Sequence, residues 1–171
     1  NGWEPQNWDH QFRGEVTLRE AARLSLNIPA IRLMDQVGVE RARAFAKRLG
    51  IPVTDADRGL TLALGAMAEG VSPLELAGAY QAFANGGTYR TPHLITMVET
   101  ADGRVLRGRE VRARQVMRPE TAHAVTDMLT TVVQQGTGTG ALLDRPMAGK
   151  TGTVELPQGD AFAGLSGNSA A

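Results

Sequence analysis

Two groups of residues in this 171-residue chain have the types and spacing to do chemistry. The sharper is Lys150-Thr151-Gly152-Thr153. If that segment is extended, successive side chains point to opposite faces. Thr151 and Thr153 then share one face, where two hydroxyls can donate to one carboxylate, and Gly152 admits another backbone at close range. Lys150 falls on the other side. Its long stem reaches the same ligand around an exposed edge but not from a sheet centre, and the sequence leaves both open. The second group is Ser25-Leu26-Asn27, a hydroxyl and an amide two positions apart. Taken alone, such a pair usually caps a helix or stabilises a turn.

Composition bounds what these groups can act on. Eighteen basic residues balance eighteen acidic ones, so no long-range field favours nucleic acid, an anionic membrane or an acidic substrate. Any ligand must be held by local chemistry. The chain has no cysteine, which removes disulfides, thiolate metal sites and thiol nucleophiles and leaves the redox compartment open. No stretch approaches the roughly eighteen apolar residues of a membrane span. The opening Asn1-Gly2-Trp3-Glu4-Pro5 has neither the basic nor the hydrophobic region of an export signal. The chain is therefore read as a piece of something longer, with any signal or anchor outside it.

The elements that must position these residues are legible in part. Residues 1 to 16 read as an extended, loop-like approach. Thr17-Leu18-Arg19-Glu20 predicts a capping box and a helix that runs into Ser25. Asn27-Ile28-Pro29 predicts the cap of a second helix that ends at Gly38. A third helix is expected from Val39 to Leu49, with Arg41, Arg43, Lys47 and Arg48 on a solvated face and Ala42, Phe45, Ala46 and Leu49 buried. Residues 53 to 71 fit either a buried strand or a short helix.

Ser72-Pro73-Leu74-Glu75 predicts another helix, ended by Asn85-Gly86-Gly87. A hairpin is expected from Leu94 to Leu106 with Asp102-Gly103 as a two-residue turn. Pro119 opens a helix that carries Ala122, Val125, Met128, Leu129, Val132 and Val133 at helical spacing to Gly136. Gly136 to Gly140 reads as a mobile loop, and Met147 to Val154 as a strand. Helices before and after strands, without regular alternation, predict a mixed α/β domain.

Four other chemistries are disfavoured. Gly149-Lys150-Thr151 imitates the end of a phosphate loop, but the glycine such a loop needs five residues before Gly149 is Asp144, which repels phosphate. Gly136-Thr137-Gly138-Thr139-Gly140 follows a helix where a dinucleotide fingerprint requires a strand. His10, His93 and His123 are too scattered for a metal pair, and Trp3 and Trp8 read as packing residues rather than sugar platforms. No cofactor and no metal are expected.

Taken together, the motifs resemble those of class A, bifunctional penicillin-binding proteins, whose signature set is S-x-x-K, S-x-N and K-T-G. The likeness runs through Phe12-Arg13-Gly14, Thr17 to Ala21, Ser25 to Ala30, Ser72 to Ala77, Ala79-Tyr80, Phe83 to Gly87, Gly136-Thr137-Gly138 and Lys150 to Thr153, in the family's order and at similar spacing. The fold it implies is the mixed α+β serine β-lactamase and D,D-transpeptidase fold, a helical part with an antiparallel sheet. The activity it implies is peptidoglycan cross-linking through a serine acyl-enzyme. The expected ligands are the D-Ala-D-Ala end of a stem peptide and the β-lactams that mimic it.

By the same resemblance Ser25 relays a proton, Asn27 binds the substrate amide and Lys150 supplies positive potential. Thr151 and Thr153 bind the terminal carboxylate, and the Thr153 N–H forms half of an oxyanion hole. The nucleophile is missing: the serines are Ser25, Ser72, Ser166 and Ser169, and none has lysine three residues on. The expectation is that residues 1–171 are part of a transpeptidase domain, with S-x-x-K upstream and a closing strand and helix downstream, inactive alone and completed by the remainder of its own domain. The parent is expected on the extracytoplasmic face of a bacterial membrane, held there only by an anchor earlier in the chain. The alternative is a non-catalytic sensor or scaffold of the same fold.

Overall fold

A computed structural model describes residues 4–108 and 112–152. Its elements are α1 (Leu18–Arg23), α2 (Asn27–Val37), α3 (Val39–Arg48), α4 (Pro73–Ala84), β1 (Thr88–Arg90), β2 (Met97–Glu99), β3 (Val105–Gly108), β4 (Ala113–Gln115) and α5 (Pro119–Gln135), with 3-10 turns at Leu60–Leu64 and Thr139–Ala141. Strands β1 and β4 form one antiparallel pair and β2 and β3 another. The expected mixed α/β class is what is observed.

Local chemistry explains most helix starts. Ser72 and Glu75 form the full reciprocal capping box with Pro73 in the first turn of α4. At α1 only half of the expected box forms. The Thr17 oxygen accepts from the Glu20 N–H, but the Glu20 carboxylate turns away to take two hydrogen bonds from Arg23, at 2.6 and 2.8 Å. A bidentate guanidinium outcompetes one neutral backbone N–H. Helix α2 begins one residue earlier than expected, so Asn27 is its first residue, not its cap. The capping falls to Asn7, buried, whose side-chain oxygen accepts from the Ile28 N–H at 3.2 Å. Gly38, with φ of 89°, turns α2 directly into α3.

The core gathers Leu49, Ala79, Ala82, Tyr89, Val116, Met117 and Ala122, with Phe45, Ile51 and Phe83 against it. Helix α5 is the spine: α1 and α4 both lie on it, and α4 also carries β1. The β2–β3 hairpin stands out from this body, exposed along both strands. Among the described residues, no helix is long and apolar enough to cross a membrane.

Several expectations are corrected. Arg43 is buried rather than solvated, because its guanidinium is neutralised by Glu40 and Asp55 and donates to the Thr54 carbonyl at 2.6 Å. The open stretch from 53 to 71 contains a 3-10 turn and no strand. The hairpin turn holds three residues, Ala101 to Gly103, closed by the Thr100 N–H on the Arg104 carbonyl, with Gly103 at φ of 82°. Trp8 is 69% exposed, so it is not a packing residue, and Trp3 lies outside the described residues.

Residues 147–152 form no strand. A strand needs a ladder partner, and here the Gly149 N–H instead donates to the Leu129 carbonyl of α5, at 3.3 Å. The pair formed by β1 and β4 was missed, since each strand is only three residues long and shows no apolar alternation.

Candidate active site

Ser25 sits in the turn between α1 and α2. The Leu26 N–H returns to the Ala21 carbonyl at 2.9 Å and the Ser25 N–H to the Ala22 carbonyl at 3.2 Å, the paired bonds of a Schellman ending. Such an ending puts its pivotal residue in the left-handed region, where glycine is usual. Here the residue is serine, at φ of 55°. A side chain in that conformation is strained by about 1 kcal/mol or more, a cost that concentrates at functional positions.

Lys150 follows Gly149, whose N–H ties the segment to the Leu129 carbonyl of α5. Its Nζ donates to Ser25 Oγ at 2.6 Å across 125 residues of sequence, and to the Thr151 carbonyl at 2.9 Å. Because the segment is not a strand, the alternation that would set Lys150 opposite Thr151 does not operate. Burial draws the Lys150 ammonium below the ordinary lysine value. The arrangement is a cation beside a hydroxyl in a partly desolvated place, suited to passing a proton or stabilising an anion.

Two sets of bonds hold the halves together. Arg19 pairs with Asp127 and donates to the Thr131 hydroxyl at 2.8 Å, and Arg23 donates to the Gln135 carbonyl at 2.9 Å, so α1 is strapped along α5. Beyond the end of α5, the Thr137 N–H donates to the Arg23 carbonyl at 3.2 Å, and the hydroxyls of Thr137 and Thr151 meet at 2.6 Å. The loop read as mobile is thus pinned at Thr137, through both its backbone and its side chain. Gly136 shows how closely: a Cβ there would come within 2.4 Å of the Arg23 carbonyl oxygen.

Of the residues singled out by sequence, Ser25 and Lys150 meet and Thr151 adjoins them. Asn27, two residues on, opens α2 and its amide donates to the Gln6 carbonyl at 2.9 Å; among the described residues no hydrogen bond joins it to Lys150 or Thr151. Thr153 lies outside the described residues. Sequence reasoning missed Arg23, Thr137 and Asn7. A basic residue in a last helical turn and a threonine between two glycines were visible signals for the first two. Asn7 acts across 21 positions and had no local signature. Among the described residues no group of histidines, aspartates and glutamates could hold a metal ion.

A family model described as the penicillin binding protein transpeptidase domain matches residues 1–161. The chain belongs to this penicillin-binding transpeptidase family. Penicillin-binding protein 1F of Bacillus subtilis is 37% identical over 165 residues, covering 96% of this chain. The chain spans only 22% of that relative's length. Among solved structures, the D,D-transpeptidase domain of a peptidoglycan glycosyltransferase from Eggerthella lenta is 26% identical with a TM-score of 0.73, covering 90% of this chain and 45% of that one. Penicillin binding protein 3 of Mycobacterium tuberculosis, complexed with ampicillin, is 29% identical with a TM-score of 0.69, over 80% of this chain and 36% of that one. The penicillin-binding fold and family inferred from the motifs are therefore borne out.

Proposed function

We propose that this chain supplies one wall of a D,D-transpeptidase active site, and that the serine nucleophile comes from a segment before Asn1. The observation that carries the reading is the Lys150–Ser25 hydrogen bond of 2.6 Å, which joins the family's S-x-N and K-T-G motifs. In the proposed reaction the nucleophile's oxygen bonds to the carbonyl carbon between two terminal D-alanines, and the carbon–nitrogen bond breaks. The leaving D-alanine takes a proton relayed by Ser25. The acyl group then passes to an amine of a neighbouring strand, which regenerates the serine.

Each group present suits one of those steps. With its oxygen already accepting from Lys150, Ser25 keeps its own hydrogen free to donate. Lys150 favours negative charge at the developing oxyanion and at the substrate carboxylate, which Thr151 and Thr153 would bind. Asn27 would hold the stem-peptide amide with the N–H not used by Gln6. β-Lactams would enter as mimics of the D-Ala-D-Ala end, and the ampicillin complex of a solved relative supports that ligand class. The parent would work on the extracytoplasmic face of a bacterial membrane.

The test is covalent labelling with a fluorescent penicillin. The full-length protein should label and the isolated 171-residue chain should not, because no serine here has a lysine three residues on. Labelling of the isolated chain would refute the upstream nucleophile. An unlabelled full-length protein would favour the non-catalytic scaffold.

A further inference from the structure

Thr137 has no part in the reaction as set out above, yet it touches both walls of the site. Its N–H is bonded to the Arg23 carbonyl, two residues before Ser25, and its hydroxyl lies 2.6 Å from that of Thr151. Gly136 leaves it no slack, since the neighbouring backbone is already closer than any Cβ could tolerate.

We propose that Thr137 is a positioning residue that sets the direction in which Thr151 donates. A hydroxyl has one hydrogen and two lone pairs, so only one of the two hydrogens can lie between these oxygens. If Thr151 gave its hydrogen to Thr137, it would face an incoming carboxylate with lone pairs and repel it. With Thr137 as donor, the Thr151 hydrogen is free, and a chain of hydroxyl to hydroxyl to carboxylate forms in which each bond polarises the next. An ionised carboxylate accepts only, so its arrival selects this second order. Anchoring at Arg23 registers the carboxylate grip to the turn that carries Ser25. The inference rests on the reading above, in which Thr151 binds the terminal carboxylate.

The experiment compares acylation of the full-length protein by a penicillin and by its methyl ester, which lacks the charged carboxylate. T137V should slow acylation by the penicillin about tenfold, as expected for one hydrogen bond acting on a charged acceptor, and change acylation by the ester less than about twofold. T137S should restore the penicillin rate. The ratio of the two rates is taken within one preparation, so an unfolded fraction cancels, and T137A carries the same test if valine disturbs the loop. Equal loss with both compounds, or loss with neither, would overturn the positioning role alone. A wild-type protein acylated by neither compound would overturn the transpeptidase reading together with it.

Discussion

Lys150 Nζ and Ser25 Oγ are hydrogen-bonded at 2.6 Å, and the serine that accepts this bond has left-handed backbone, φ 55°. The turn would be easier to make with glycine, so conformational energy is spent where the hydroxyl is needed. S25G and S25A both delete the hydroxyl, and only glycine relieves the strain. S25G should unfold at higher urea than S25A, by about 1 kcal/mol in stability. Both should lower penicillin acylation of the full-length protein by about 10²–10⁴-fold, the range for losing a proton-transfer group. Equal stability of the two variants would show that the turn carries no strain.

Lys150 sets an alkaline dependence whose sign follows from burial. Its proton is held less firmly in the folded chain than in the unfolded one, because burial disfavours the charged form. Between the lowered folded value and the ordinary lysine value the unfolded state binds more protons, so stability rises with pH across that window. K150M should abolish the rise in a urea titration. Activity should move the opposite way, with acylation falling as the ammonium deprotonates below the ordinary lysine range. K150R should push that fall to higher pH, since a guanidinium keeps its proton. An alkaline limb unchanged in K150R would assign it to another group.

The parts of the fold that could be read in the sequence are those fixed by neighbours along the chain. Ser72 to Glu75 contains every atom of its capping box, and the α5 stripe needs only its own period. Arg43 was misread because part of what satisfies its guanidinium lies outside its own helix, the Thr54 carbonyl and the Asp55 carboxylate. Glu20 was misread because a closer cation competes for it. At the site, local spacing showed Ser25 and Lys150 as types, and only the family resemblance set them across one cleft, since α5 and its straps decide that they meet. Thr137 was passed over because a glycine-flanked residue reads as free until the Arg23 carbonyl beside it is seen.

Asp57 makes an acid-side prediction. Its buried carboxylate accepts the N–H groups of Thr54 at 2.6 Å and Ala68 at 2.7 Å, and these bonds hold its pKa below the ordinary aspartate value. A lowered value contributes stability that is complete above the unfolded pKa and is lost as pH falls through the folded one. D57N leaves one carbonyl oxygen where two carboxylate oxygens served. The variant should unfold at lower urea near neutral pH, and the gap from wild type should close in strong acid. A gap that stays constant from neutral pH into acid would show that these bonds do not depend on the charge.

Gly136 packs closely against the end of α1. An alanine Cβ there would stand 2.4 Å from the Arg23 carbonyl and 2.9 Å from the Val132 carbonyl, both backbone atoms held in hydrogen bonds. Neither can rotate away as a side chain tip would, so the loop must lift off α1, at a cost of about 1–3 kcal/mol for an overpacked site. Lifting the loop stretches the Thr137–Arg23 bond and carries the Thr137 hydroxyl away from Thr151. G136A in the full-length protein should therefore lose stability and also slow acylation by the penicillin more than by its methyl ester, the same ratio that T137V shifts. An alanine variant with lowered melting temperature but an unchanged ratio would mean that the loop supports the fold without aligning the hydroxyls.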